Sequence, residues 1–162
     1  IPKPMGSRHP SIAPFEAFKT KDSHIIIAAG NDKLFENLCN FLKIPEISKD
    51  TKFITNSQRS ENMDELKIIL ENKLKEKTTS EWVKGMEELK IPCGPIFNIK
   101  EAVENPQIRE RNMIVKSFHK VVGEFRTAGN PIKMSSYNDS ATRGDIPDLD
   151  EHRDKIIKEF CN

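Results

Sequence analysis

The spacing of hydrophobic residues changes from a strand-like to a helical period about thirty residues into the chain. The β-branched run Ile25–Ile27 follows a turn-rich spacer, Thr20–Ser23, which itself follows a short segment with apolar residues. This pattern predicts a β-hairpin with strands Glu16–Lys19 and His24–Ala29. Because consecutive positions of the second strand are apolar, we expect it to lie in the middle of a sheet or beneath covering helices.

Three amphipathic helices are predicted after the hairpin. Asn31 is a candidate N-cap of the first helix, which is expected to end near Lys43. The second helix is predicted over Asn62–Lys75, and the third begins at Thr78-x-x-Glu81, a capping-box pattern. Apolar residues recur at helical spacing in each helix, which predicts one buried face per helix. These residues are Leu34, Phe35, Leu38 and Leu42; Met63, Leu66, Ile69, Leu70 and Leu74; and Trp82, Val83, Met86 and Leu89.

The helical pattern breaks at Ile91–Ile96, where two prolines and a glycine end the third helix. Asn98-x-x-Glu101 is another capping pattern, and it predicts a short helix that Pro106 ends or restarts. From Met113 onwards, the apolar residues and glycines indicate strands and tight turns. The predicted structure therefore changes from helices before Met113 to strands and turns after it.

The last part of the chain is more polar. Ser135–Asp145 is predicted to be a loop. A final amphipathic helix is predicted over Leu149–Phe160, with its buried side formed by Ile156, Ile157 and Phe160. Because the whole tail after a boundary near Pro106 to Asn112 is too short to bury two faces by itself, we expect it to dock on a domain that the chain does not contain.

Together these elements predict an α+β fold, in which a small domain of helices and antiparallel sheet is followed by a strand–helix tail. We assign residues 1–12 to an extended linker, because prolines and a glycine dominate its pattern. Residues 13–106 are assigned to the small domain and residues 107–162 to a second linker and the tail. The boundary is placed near the proline at the end of the fourth helix.

Composition argues against several classes of function. The net charge is +1, and Lys and Glu are interleaved along the predicted helices, so no basic face for a nucleic-acid backbone is expected. No apolar run approaches the roughly 20 residues that span a bilayer. The three cysteines lack CxxC spacing and the four histidines lack an HExxH pattern, so neither a disulfide framework nor a metal site is predicted. We expect a cytoplasmic protein, or a mitochondrial matrix protein in a eukaryote.

Seven segments, in order along the chain, resemble the family III CoA-transferases, the CaiB/BaiF group that includes formyl-CoA transferase. The segments are HPSIAPFEAFKTKD, AAGNDKLF, FITNSQRSENMDEL, TTSEWVKGMEELKIPCGPI, ENPQIRERNM, GNPIKMS and LDEHRDKII. No single segment is decisive, but their shared order and spacing are specific. The chain resembles the C-terminal part of such an enzyme, that is, its small domain and tail.

The resemblance implies an architecture and a reaction. Family members are similar in having a large Rossmann-like domain built from both chain ends, a small domain carried between them, and two interlocked subunits. The tail of this chain would then complete a large domain whose other part is missing from the sequence. The implied partners are an acyl-CoA, a small carboxylic acid and a second subunit, with coenzyme A as the carried group and no metal. The implied nucleophile is an aspartate of the missing part, so the chain alone is expected to be inactive.

The resemblance also implies substrate-binding residues, although it assigns no catalytic residue to this chain. Lys21, Asp22, Ser23 and His24 occupy the hairpin turn, where formyl-CoA transferase carries a glycine-rich loop that closes over the substrate. The turn would form a wall of the acyl pocket, but the missing glycines argue against oxalate as the acceptor. Asn31 is the fifth candidate. The racemases of the family carry a Glu at this place, and a neutral amide cannot act as a carboxylate base, so Asn31 favours transfer.

The chain departs from the family pattern near its C-terminus. Where the family commonly has LGEHT, this chain has LDEHR, so that Asp150 replaces a glycine and Arg153 replaces a threonine. Because glycine permits backbone conformations and close approaches that other residues do not, we expect the local backbone packing to differ here.

Other interpretations stay open for each candidate residue and for the whole chain. Asn31 also fits a helix N-cap, Lys21 and Asp22 fit an ordinary solvated turn, and Cys93 fits a buried structural thiol. Two other functions are alternatives to a transferase fragment. One is a fragment similar to alpha-methylacyl-CoA racemase, and the other is a non-catalytic module for dimerisation or protein interaction.

Overall fold

The computed structural model describes residues 4–161 of the chain. These residues form two compact units, the first ending at Ile96 and the second beginning at Phe97. The division therefore lies ten residues before the predicted domain boundary at residue 106. The helix capped by Asn98 belongs to the second unit.

The first unit contains a three-stranded antiparallel sheet in the order β1-β2-β3. Its strands are β1 (Phe15–Lys19), β2 (His24–Ala28) and β3 (Cys93–Pro95). The predicted hairpin is confirmed, with Lys19 opposite His24 at the turn. The central position of β2 is also confirmed, but β3 was expected to be only a helix break. Its three residues pair with β2, a long-range contact that local sequence does not reveal.

Four α-helices and one 3-10 helix accompany this sheet in the first unit. They are α1 (Asp32–Phe41), the 3-10 helix (Pro45–Lys49), α2 (Asn56–Glu61), α3 (Met63–Leu74) and α4 (Thr79–Glu88). Helices α3 and α4 pack directly on the strands of the sheet. Helices α1, α3 and α4 confirm the three predicted helices. Helix α2 and the 3-10 helix were not predicted, because they are short and carry no apolar stripe.

The core of the first unit lies between the sheet and the predicted helix faces. All the residues predicted to form these faces are buried or half-buried except Leu89, which is 49% exposed. The prediction for Leu89 was wrong because α4 ends at Glu88 and the chain turns at Lys90, where φ is 55°. Within the core, Trp82 Nε1 donates a hydrogen bond of 2.7 Å to the Leu74 carbonyl oxygen, which joins the facing ends of α3 and α4.

The second unit combines short helices with a mixed sheet of β4 (Ile114–His119), β5 (Gly123–Ala128) and β6 (Thr142–Asp145), in the order β5-β4-β6. Strands β4 and β5 are antiparallel, and β4 and β6 are parallel. A new helix begins at Pro106, which confirms the second of the two predicted alternatives, that this proline restarts a helix. The helices are α5 (Ile99–Glu104), α6 (Pro106–Glu110) and α7 (Arg153–Phe160).

Two predictions for the second unit need correction. Strand β6 lies inside the segment predicted to be a loop, because pairing with β4 gives this polar stretch an extended conformation. Helix α7 begins at Arg153, four residues later than expected. Its predicted buried side is exposed in this chain, at 52% for Ile156, 50% for Ile157 and 74% for Phe160. Across residues 4–161, no helix is long and apolar enough to cross a membrane.

Candidate functional site

The hairpin turn between β1 and β2 is tied to the first turn of α4 by Asp22. Asp22 Oδ1 accepts hydrogen bonds from the Thr79 backbone N–H at 2.8 Å and from Thr79 Oγ1 at 3.0 Å. It accepts a third bond from Thr20 Oγ1 at 3.2 Å, and the Thr20 and Thr79 hydroxyls lie 2.7 Å apart. Because Thr79 belongs to helix α4, these hydrogen bonds hold the turn in a fixed position on the first unit.

These hydrogen bonds also favour the ionised form of Asp22. The backbone N–H of Thr79 is the largest influence, and together with the two hydroxyls it lowers the pKa of the Asp22 carboxyl below its ordinary value of 3.8. Donors that point at a carboxylate favour the ionised form. Asp22 is therefore ionised at neutral pH, with one oxygen committed to the turn itself.

The other three turn residues are exposed. The Lys21 backbone N–H donates to the Lys77 carbonyl oxygen at 3.1 Å, and the Ser23 N–H donates to Thr20 Oγ1 at 3.1 Å. Both bonds use main-chain donors, so the side chains of Lys21, Ser23 and His24 extend into solvent from a fixed backbone. The arrangement combines one ammonium, one hydroxyl and one imidazole on the surface of the turn.

Asn31 caps helix α1, which confirms its interpretation as a helix N-cap. Its side-chain Oδ1 accepts a hydrogen bond of 2.8 Å from the Leu34 backbone N–H. Asn31 Nδ2 donates to no atom within residues 4–161, and the residue is exposed. The cap therefore uses only the oxygen of the amide, and the two N–H donors are available to another molecule.

The structure does not bring Asn31 together with the hairpin turn. Lys21, Asp22 and Ser23 precede β2 and His24 is its first residue, whereas Asn31 follows the strand, which has five residues. A strand rises about 3.3 Å per residue, so the two places lie roughly 16 Å apart along the strand. The five predicted site residues thus form two separate surfaces at opposite ends of one strand.

Arg59 supports the corner between β2 and α1, that is, residues 29–32, which carries Asn31. Arg59 was not among the predicted site residues. Its side chain is fully buried, although it lies on the polar helix α2. The guanidinium lies over the Phe35 ring, 4.6 Å from the ring centroid. It donates hydrogen bonds to five groups from three chain segments: Ala13 O at 2.7 Å, Phe53 O at 3.0 Å, Ile54 O at 3.4 Å, Gly30 O at 3.1 Å and Asp32 Oδ1 at 2.9 Å.

Asn56 acts beside Arg59 on the same helix. Its Oδ1 accepts from the Ala13 N–H at 3.0 Å, and its Nδ2 donates to the Ser11 carbonyl oxygen at 2.8 Å. Residues three apart lie on one face of a helix, so Asn56 and Arg59 together hold the segment before β1 against the segment after β2. Their spacing in a polar helix is the one sequence signal that could have indicated this role.

A shallow cavity of about 410 Å³ lies beside this corner. Apolar side chains form most of it, including Ile12, Phe15 and Leu34, and the polar groups at its rim are Asn31 and Asn56. Gly30 permits the close approach of the chain before β1, because a Cβ at this position would lie 2.0 Å from Ile12 Cγ2. Asn56 uses its oxygen and one N–H in bonds within the chain, whereas both N–H donors of Asn31 Nδ2 are unused by the described residues and offer more to a small ligand here.

The comparison with known proteins decides the family of the chain. The sequence model of CoA-transferase family III matches residues 1–153. The chain belongs to CoA-transferase family III.

Relatives and solved structures agree with this family. The acetyl-CoA:oxalate CoA-transferase of Acetobacter aceti is 38% identical over 99% of this chain and 40% of its own length. The human succinyl-CoA:glutarate CoA-transferase is 36% identical over 97% of this chain and 36% of its own length. A CaiB/BaiF family protein from Brucella suis is similar in structure, with a TM-score of 0.76, 33% identity, and coverage of 98% of this chain and 40% of that one.

This family III chain thus spans well under half the length of the relatives that it matches. The predicted α+β class is confirmed by the antiparallel sheet and helices of the first unit and by the similarity to the Brucella suis structure. Among residues 4–161 there is no group of three or more His, Cys, Asp or Glu residues that could hold a metal ion. Cys93 is half-buried, and burial raises the pKa of its thiol.

Proposed function

We propose that this chain is part of an acyl-CoA:carboxylate CoA-transferase and supplies a wall of its acyl pocket. The observation that carries the proposal is the family match over residues 1–153. It is supported by relatives that are named as acetyl-CoA:oxalate and succinyl-CoA:glutarate CoA-transferases. The substrates would be an acyl-CoA and a small carboxylic acid. Coenzyme A would be the group exchanged between the two acids.

The proposed division of labour places the covalent chemistry in the rest of the enzyme. There, an aspartate would attack the thioester carbonyl carbon, the C–S bond would break, and CoA would leave as its thiolate. The CoA thiolate would then attack the aspartyl carbonyl of the resulting anhydride, which releases the donor acid and leaves an aspartyl-CoA thioester. The acceptor carboxylate would attack this thioester to form a second anhydride and release the CoA thiolate again. Attack of the thiolate on the acceptor's acyl carbonyl would give the new acyl-CoA and restore the aspartate. The described residues contain no carboxylate that we assign to this step, so the chain alone would not transfer CoA.

The two surfaces at the ends of β2 support different parts of this proposal. At the turn, the Lys21 ammonium and the His24 imidazole are exposed on a fixed backbone, which suits recognition of an acceptor carboxylate. At the corner, the free N–H donors of Asn31 lie beside an apolar cavity, which suits a carbonyl oxygen next to a short alkyl chain. Asn31 carries no carboxylate, so it favours transfer over racemisation.

The test compares this chain with a longer protein that includes it. Each is assayed for CoA transfer from acetyl-CoA or succinyl-CoA to oxalate or glutarate, because relatives are named for these substrates. We expect transfer by the longer protein and none by the chain of 162 residues. Transfer by the chain alone would refute the proposed division of labour. If the longer protein transfers no CoA but racemises a 2-methylacyl-CoA at C2, the proposed transfer is refuted and the racemase alternative is established.

The architecture of the complete enzyme is a further part of the proposal. The second unit, with its exposed α7, would complete a Rossmann-like large domain, and two complete subunits would interlock as a homodimer. The cytoplasm, or the mitochondrial matrix in a eukaryote, would be its compartment. Light scattering coupled to gel filtration of the longer protein tests the dimer, and a monomer at micromolar concentration would contradict it.

A further inference from the structure

The second unit contains an open cavity of about 570 Å³ with a basic lining. Helix α6 contributes Arg109, β4 contributes Lys116 and β5 contributes Arg126, while Asn112 and Thr142 add an amide and a hydroxyl. None of the described residues that line this cavity is Asp or Glu. The cavity therefore concentrates positive charge, although the chain as a whole carries a net charge of only +1.

Two of these cations lie side by side on adjacent strands of the sheet. Lys116 and Arg126 are register partners in the antiparallel pair of β4 and β5, so their side chains leave the same face of the sheet. Like charges at directly opposite positions destabilise a strand pair. Glu124 relieves part of this repulsion, because its carboxylate pairs with Lys116 Nζ at 3.0 Å.

The two guanidinium groups are not neutralised in this way. Neither Arg109 nor Arg126 forms an ion pair or side-chain hydrogen bond within residues 4–161. Glu104 lines the neighbouring cavity with Arg126, but no ion pair joins the two. A planar guanidinium presents parallel N–H donors that match two oxygens of a phosphate group.

We propose that this basic cavity binds a phosphate group. A phosphate dianion would neutralise the two unpaired guanidinium groups, and its several oxygens would accept bonds from them and from the Thr142 hydroxyl. The phosphate could belong to coenzyme A, in which case the inference rests on the proposed function, or it could be the free ion. Both sources offer the same chemistry to Arg109 and Arg126.

The test is a titration of the isotopically labelled 162-residue chain, followed by the amide NMR signals of β4, β5 and β6. Three probes are added separately at constant ionic strength: inorganic phosphate, coenzyme A, and dephospho-coenzyme A, which lacks the 3′-phosphate. The variants Arg109→Gln and Arg126→Gln each remove one guanidinium from the cavity. The control Lys100→Gln removes one positive charge from an exposed position of α5 that does not line it.

We expect saturable shifts that the two arginine variants weaken about tenfold and the lysine variant leaves unchanged, because a charge-assisted bond is lost only in the former. Tighter binding of coenzyme A than of dephospho-coenzyme A identifies the 3′-phosphate as the ligand. Equal binding of inorganic phosphate and coenzyme A identifies the free ion. Equal weakening by all three variants overturns the proposal, as does the absence of saturable shifts with every probe. None of these outcomes depends on CoA transfer, so the proposed function can fail or hold independently.

Discussion

The carboxylate of Asp150 accepts a hydrogen bond of 2.7 Å from Arg153 Nε, so the two residues that depart from the family pattern contact each other. Asp150 has a φ of 69°, in the left-handed region that favours glycine. This backbone geometry fits the glycine that the resemblance leads us to expect here, and in this chain Asp150 pairs instead with Arg153 at the start of α7.

The backbone at Asp150 can be tested with two variants. Asp150→Gly and Asp150→Ala both remove the ion pair, but only alanine retains a Cβ in the left-handed region. We therefore expect the alanine variant to be less stable than the glycine variant by about 1 kcal/mol. Amide hydrogen exchange of α7 measures the difference locally. Equal exchange rates in the two variants would show that this backbone conformation carries no strain.

Removal of the Arg59 side chain is expected to destabilise the first unit strongly. Arg59→Met keeps much of the apolar volume but leaves the carbonyl oxygens of Ala13, Phe53 and Gly30 without this donor. An unsatisfied buried acceptor costs about 1–3 kcal/mol, so the total loss should exceed roughly 3 kcal/mol. Urea unfolding followed by the fluorescence of Trp82, the single tryptophan, measures the change in this unit.

Lys52→Met is the matched control for Arg59. Lys52 also forms an ion pair, with Glu65 at 2.8 Å, but both side chains are about half exposed. Exposed ion pairs contribute little to stability. The unfolding midpoint of this variant should stay close to that of the unaltered chain. If both variants shift the midpoint equally, the many bonds of Arg59 do not have the structural role assigned to them.

The helices illustrate what local sequence predicts well. Thr78 and Glu81 form the expected capping box at the start of α4, because both groups that form it lie within one turn. Strand β6 was missed because its extended conformation depends on β4, more than twenty residues earlier. Pairing between distant segments leaves no signal in a polar stretch such as Thr142–Asp145.

Asp22 should make the stability of the chain depend on pH. Its carboxyl has a pKa below the ordinary value of 3.8 because Thr79 and Thr20 donate to it in the folded state. Its contribution is therefore present above the unfolded pKa and is lost as the pH falls through the folded pKa. Asp22→Asn should reduce the loss of stability between about pH 5 and pH 3, measured by urea unfolding at each pH.

The neighbouring residue provides the control for Asp22. The Lys21 side chain is exposed, and its charge is only the smallest of the influences that lower the pKa of the Glu81 carboxyl. Lys21→Ala should therefore leave stability at neutral pH nearly unchanged and alter its pH dependence much less than Asp22→Asn does. An Asp22→Asn profile that parallels that of the unaltered chain throughout the acid range would contradict the assigned hydrogen bonds. In the longer enzyme, Lys21→Ala should instead change the ratio of kcat/KM between acceptor acids.

The two roles of Asn31 can be separated by one pair of substitutions. Asn31→Asp retains an oxygen that caps α1 but removes the amide donors, so stability should hold while CoA transfer by the longer enzyme falls. Asn31→Ala removes both and should also cost about 1 kcal/mol of stability. Thermal unfolding and transfer assays on both variants measure this. Unchanged transfer in Asn31→Asp would leave Asn31 as a helix cap only.

The candidate site was predicted only in part. Asn31 was identified because a cap and its helix are adjacent in sequence. The buried role of Arg59 was not predicted, because its five acceptors come from segments as distant as Ala13 and its spacing from Asn56 is the one local signal. A single arginine in the polar sequence NSQRSE has the pattern of a solvated residue, and only the folded arrangement of three segments encloses it.

Under the proposed function, in which the turn and the Asn31 corner bind substrate, the length of β2 has a consequence for how specificity can diversify. Its five residues place the turn and the Asn31 corner beyond the reach of a single small acid. Substitutions at sites more than about 10 Å apart, without shared partners, usually act additively. Mutations at the turn can therefore accumulate without compensating changes at the corner. Evolution could alter one surface while the other stays constant, so related enzymes could exchange acceptors in single steps.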